Sequence, residues 1–100
     1  MFKEFKYTLT DSETFENVFK EENLLMNHVL IPPGKFFEKH PTDANVHVII
    51  LRGALTVAVD DGERVSYEKG SVLNISKGSP SELGNAGNEP TELMVIKSDL

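Results

Sequence analysis

Val46-His47-Val48-Ile49-Ile50-Leu51-Arg52-Gly53-Ala54-Leu55-Thr56-Val57-Ala58-Val59-Asp60-Asp61-Gly62 is the stretch on which the fold class turns. Val46 to Leu51 is a short apolar run rich in β-branched residues, the composition of a strand packed in a core. Arg52-Gly53 interrupts it. Leu55, Val57 and Val59 then alternate with smaller or more polar residues, the period-2 pattern of a second strand with one buried face. Asp61-Gly62 predicts a tight hairpin turn, because a type I′ turn needs φ > 0 at its central residues and glycine adopts that freely.

Working outward, Arg64 to Tyr67 returns along the other arm of that hairpin, and Glu68-Lys69-Gly70 turns into a strand over Ser71 to Ile75. Lys77 to Pro90 is rich in Gly, Ser, Pro and Asn and reads as a long loop region. Leu93 to Ile96 closes the chain as a last strand. Upstream, Leu24 to Ile31 is an apolar run too short for a core helix and is stopped by Pro32-Pro33-Gly34. Glu21-Glu22-Asn23 precedes it as a turn. From Asp11 to Lys20 two readings stand. Thr10 and Glu13 have capping-box spacing, with Phe15, Val18 and Phe19 on one helical face; a short strand over Phe15 to Phe19 fits equally. Phe5, Tyr7 and Leu9 alternate with Lys6, Thr8 and Thr10, which predicts an N-terminal strand. Short strands with turns every 8 to 12 residues describe an all-β sandwich or barrel.

A chain of 100 residues makes one domain with one modest core. Ten lysines and arginines stand against 16 acidic residues, so the net charge of −6 opposes nucleic acid and anionic lipid as partners. The lack of cysteine excludes a disulfide scaffold, a thiolate metal site and a cysteine nucleophile. Met1 to Tyr7 carries scattered charges and no long apolar run, so a cytoplasmic location is the expectation.

Two glycine-bounded spacings carry a resemblance. Gly34, five residues, His40-Pro41-Thr42, three residues, Val46, six residues and Gly53 form the first. Gly70, five residues, Ser76-Lys77-Gly78, two residues, Ser81, three residues and Asn85 form the second. The chain resembles the cupin family, small jelly-roll barrels (double-stranded β-helices) recognised by two motifs of this spacing, with 1–100 a single such domain. Cupins that hold iron, manganese, nickel or zinc use two histidines and a glutamate from the first motif and a histidine from the second. Here those positions read His40, Thr42, Val46 and Ser81. A valine methyl and neutral hydroxyls do not replace imidazole or carboxylate donors, so the resemblance implies the fold without implying the metal.

His40, beside Pro41, is expected at the barrel mouth, where it would contact a ligand or serve as acid or base. On the better-fitting register Val46, Val48 and Ile50 face the interior and His47 faces the other side, since a one-residue slip exchanges the faces. His28 and Asn27 lie on opposite faces of one strand, so only one of them points inward. A divalent transition metal would need His40 with His47 and His28; otherwise no cofactor is implied. Thr42, Ser81 and Asn85 either hydrogen-bond a ligand at the mouth or form turns. Ser81, His40 and Asp43 lack the context of a nucleophile elbow.

Three functions follow as expectations. The first is a small organic molecule bound among His40, Thr42, Val46, Val48, Ile50, Ser81, Met94 and His28, with Leu55 in the lining. The second is a metal-dependent or His40-assisted enzyme of the isomerase, dioxygenase or decarboxylase kind. The third, compatible with either, is pairing into a homodimer, with Phe5 to Leu9 offered for edge pairing.

Overall fold

The computed structural model describes residues 1–100, and its regular elements are nine β-strands. They are β1 (Thr14–Glu21), β2 (Leu24–Ile31), β3 (His40–Pro41), β4 (Asn45–Arg52), β5 (Ala54–Val59), β6 (Val65–Glu68), β7 (Val72–Ile75), β8 (Pro80–Gly84) and β9 (Thr91–Ser98). All pairings are antiparallel. One sheet runs β1-β2-β9-β4-β7 and the other β3-β8-β5-β6. Strands that are neighbours in space but not in sequence, with the apolar faces of both sheets packed together, make the double-stranded β-helix.

The decisive stretch folds as its pattern dictates. Along β4 burial alternates strictly, with Val46, Val48 and Ile50 in the core and His47 and Ile49 on the outer face. Leu55 and Val57 of β5 meet them from the other sheet, joined by Val29, Ile31, Ile75 and Leu93. Gly53 turns the chain between β4 and β5 at φ 75°, and a β-carbon there would collide with the Pro90 carbonyl. No side-chain-bearing residue fits both demands.

Several expectations need correction. The Asp61-Gly62 turn is wider than a two-residue hairpin: the left-handed residue is Asp60, at φ 54°, and Gly62 N–H donates to the Val59 carbonyl at 2.9 Å. Aspartate tolerates that region better than most residues. The strand reading, not the helical one, holds between Asp11 and Lys20. Thr10 is spent on a local turn, accepting from Ser12 N–H at 3.0 Å, and tertiary pairing with β2 outweighs the helical spacing. The stretch 77–90 is not one loop, since it contains β8. The N-terminal arm is not a strand. Phe5 packs in a tilted pair on Phe19 with centroids 5.0 Å apart, Tyr7 does the same on His28 at 4.6 Å, and Thr8 donates twice to Glu16, so the arm docks by side chains.

β1 carries a bulge between Asn17 and Phe19. Asn17 pairs with Asn27 and Phe19 with Met26, so the extra residue moves Phe19 to the outer face, where Phe5 meets it. β2 is consequently buried on both faces from Asn27 to Ile31, the core on one side and the arm on the other.

Candidate functional site

A cavity of about 320 Å³ opens between the sheets at the β3 end. Its walls are Phe15, Val29, Phe37, Val46, Ile75, Leu83, Leu93 and Val95, with Asn27 and Ser81 set among them. Glu38, His40, Thr42, Asp43 and Lys97 ring the mouth. The volume lies at the small end of ligand pockets, and the lining is of the usual kind, mostly apolar with few polar groups.

His40, Thr42, Val46 and Ser81, the four residues at the family's metal positions, all reach this one cavity. His40 pairs directly with Ser81 across β3 and β8. His40 is exposed at the mouth, its Nδ1 lies 2.9 Å from the Glu38 carbonyl, and its Nε2 has no protein partner. Thr42 is tied down: its hydroxyl donates to the Ser76 carbonyl at 2.9 Å and accepts from Gly78 N–H at 3.1 Å. Its role is to hold the turn over 76–79 against β3. Lys97 Nζ donates to Asp43 at 3.2 Å, and this bond with the adjacent positive charge holds the Asp43 carboxyl below its ordinary value. The mouth thus pairs one cation internally and leaves Glu38 free of ion pairs.

Five expected site residues lie elsewhere. Val48, Ile50 and Leu55 belong to the filled core beneath the cavity. Met94 and His28 are opposite each other in the register of β2 and β9, on the outer face of the five-stranded sheet. Leu93 and Val95 take the inward positions instead. Of the adjacent pair on β2 it is Asn27, not His28, that faces the lumen. His47 also faces outward, beside Asn74 and Ile96. The three-histidine set is therefore split: His28 and His47 face outward from the five-stranded sheet, and His40 stands at the cavity mouth on β3 of the other sheet. His40 is the lone metal donor among the four family positions, and with Glu38 and Asp43 at the mouth it forms no group of three or more donors arranged to hold an ion, so the residues present do not fit a divalent metal. Asn85 is structural: its Nδ2 donates to the carbonyls of Ile31 and Glu89, and its Oδ1 accepts from Gly87 N–H.

His28 has a different setting. Fully buried, it places Nδ1 2.8 Å from Glu16 and Nε2 2.7 Å from Glu92, under the Tyr7 ring. Both ring nitrogens thus meet carboxylate oxygens, one from β1 and one from β9, and the ring is fixed between the two strands. Arg52 completes the cluster, with Nε 3.4 Å from Glu92 and its other nitrogens on Asp11 and the Thr10 carbonyl. The group fastens the arm to the sheet.

Sequence reasoning missed Phe15, Phe37, Leu83, Val95 and Lys97 at the cavity. No motif marks them; only strand pairing brings them there.

Residues 27–97 match the Cupin_2 family, the cupin domain. The match spans well over half the chain, and the protein belongs to this family. An uncharacterised protein of Methanocaldococcus jannaschii is 25% identical over 87 residues, 87% of this chain and 75% of its own length. The solved structure of that protein, described as an RmlC-like cupin with a double-stranded β-helix fold, superposes with a TM-score of 0.93 at 23% identity, covering 98% of this chain and 91% of the other. A Thermus thermophilus protein matches with a TM-score of 0.75 at 21% identity, over 93% of this chain and 89% of its own. These likenesses extend to the fold. No helix is long and apolar enough to cross a membrane.

Proposed function

We propose that the protein binds a small organic molecule in the cavity between its sheets. The observation that carries this is the convergence on one apolar cavity of all four family metal positions, of which only His40 carries a good metal donor. A thermal-shift screen of neutral and amphipathic metabolites tests it. A hit raises the melting temperature of the wild-type protein and not of Leu83→Trp, which fills the cavity from a half-buried position. Absence of any stabilising compound would overturn the reading.

The partnerless Nε2 of His40 at the mouth favours a second reading, acid or base chemistry on the bound molecule. Turnover of an identified ligand that survives His40→Ala would remove it.

The protein is further proposed to pair with a second copy. Support comes from the outer face of β4, β7 and β9, where Ile49 and Ile96 are half-buried and Val72 is 60% exposed beyond the reach of the arm.

A further inference from the structure

Two polar side chains in the cavity each keep a donor that the fold does not use. Asn27 is 7% exposed and Ser81 5%, yet the Asn27 Nδ2 and the Ser81 hydroxyl make no hydrogen bond within the protein, and both residues line the cavity. Neither atom is sealed off, since Arg52 Nε is the one side-chain polar atom both fully buried and without a hydrogen bond; the Asn27 Nδ2 and the Ser81 hydroxyl are open to the cavity, where an occupant carrying an acceptor can bond both.

The orientation of Asn27 is fixed by the β1 bulge. Asn17 Nδ2 sits within reach of three acceptors, the carbonyls of Phe19 at 3.0 Å and Met26 at 3.2 Å and Oδ1 of Asn27 at 3.2 Å. Because Oδ1 faces that donor, the Asn27 NH₂ is turned to the lumen. Ser81 offers its hydroxyl from β8 in the opposite sheet, so both walls supply a donor to the same space. Charge at the mouth selects further. Lys97 is committed to Asp43, and Glu38 presents an unpaired carboxylate. An anion entering would meet that carboxylate or would have to break the Lys97–Asp43 pair.

Resting on the cavity reading above, we infer that the ligand is a neutral molecule with an apolar body and a carbonyl group of the amide, ketone or lactone kind. Its carbonyl accepts from Asn27 Nδ2 and the Ser81 hydroxyl while its body fills the space between Val46, Leu83 and Val95.

Cyclohexanecarboxamide, cyclohexanecarboxylate and methylcyclohexane share a body and differ in the head. Titrating each into the full-length protein, followed by amide NMR shifts of the cavity residues, separates the terms. The carboxamide should bind about tenfold more tightly than either of the others, the difference one well-made hydrogen bond supplies. Asn27→Leu should bring the carboxamide to within about threefold of methylcyclohexane, the remainder being the Ser81 bond, and leave methylcyclohexane unchanged. Asn17 keeps two backbone acceptors for its two N–H groups, so this variant orphans no donor. Ser81→Ala, a smaller change, should cost the carboxamide about threefold. Equal binding of carboxamide and methylcyclohexane, a preference for the carboxylate, or a carboxamide affinity untouched by both substitutions would overturn the inference while leaving the cavity reading in place. No shift with any of the three compounds would overturn the cavity reading as well.

Discussion

Glu16 receives the Thr8 amide at 2.9 Å, the Thr8 hydroxyl at 2.8 Å and a ring nitrogen of His28 at 2.8 Å. The His28 bond first, then those from Thr8, hold its carboxyl below the ordinary value. In the unfolded chain Glu16 titrates near the ordinary carboxylate value of about 4.3. As pH falls below that point the unfolded state takes up a proton the folded state refuses, so stability falls with it. The contribution is complete above the unfolded value and is lost through the folded one. Glu16→Gln should therefore lower the denaturation midpoint at pH 7 and make the midpoint fall less steeply between about pH 5 and pH 3. Asp43, held low by Lys97, titrates in the same direction and keeps some slope in the variant. At Gly53 the prediction concerns packing. Gly53→Ala combines a left-handed backbone with a collision against Pro90, and should cost about 2–4 kcal/mol in urea unfolding with little change in the slope.

At the level of strands, what the sequence disclosed depended on who the neighbours were. β2 and β4 were legible because an apolar run bounded by turn residues leaves few alternatives, and the better-fitting motif register put Val46, Val48 and Ile50 of β4 inside. β8 was not, because Ser81, Leu83 and Gly84 lie in a stretch whose composition says turn, and only the ladder to β5 makes it a strand. Phe5, Tyr7 and Leu9 alternate like a strand yet find no backbone to pair with; ring contacts hold Phe5 and Tyr7, and Leu9 stays exposed. The motif spacing placed His40, Thr42, Val46 and Ser81 at one cavity. It had no means of assigning faces in β9, where Leu93 and Val95 point in and Met94 out, nor of choosing between Asn27 and His28. The bulge in β1 was invisible for the same reason: one extra residue is a property of the pairing, not of the strand.

For the molecule as a whole, two sheets pack on each other and one outer face stays partly apolar. The arm is fastened to that face over β1 and β2 and at Arg52 of β4, while Val72 of β7 stays 60% exposed. If a second copy covers it, light scattering at micromolar concentration should give twice the mass of the 11.1 kDa chain, and Val72→Glu should return the single mass without loss of strand signal in circular dichroism. A monomeric wild type would remove the proposed pairing.

The fastening of the arm also sets an order of events. Its anchors are Glu16 on β1, His28 on β2, Glu92 on β9 and Arg52 on β4. They are gathered from residues up to 76 positions apart in the chain, 16 to 92. The landing ground for the first thirteen residues does not exist until those four strands have found register, so the arm docks last as the chain folds and leaves first as it opens. In hydrogen exchange, protection of the Thr8 amide should appear after that of β2, β4 and β9, which makes the arm a built-in reporter of whether the sheet beneath it is complete.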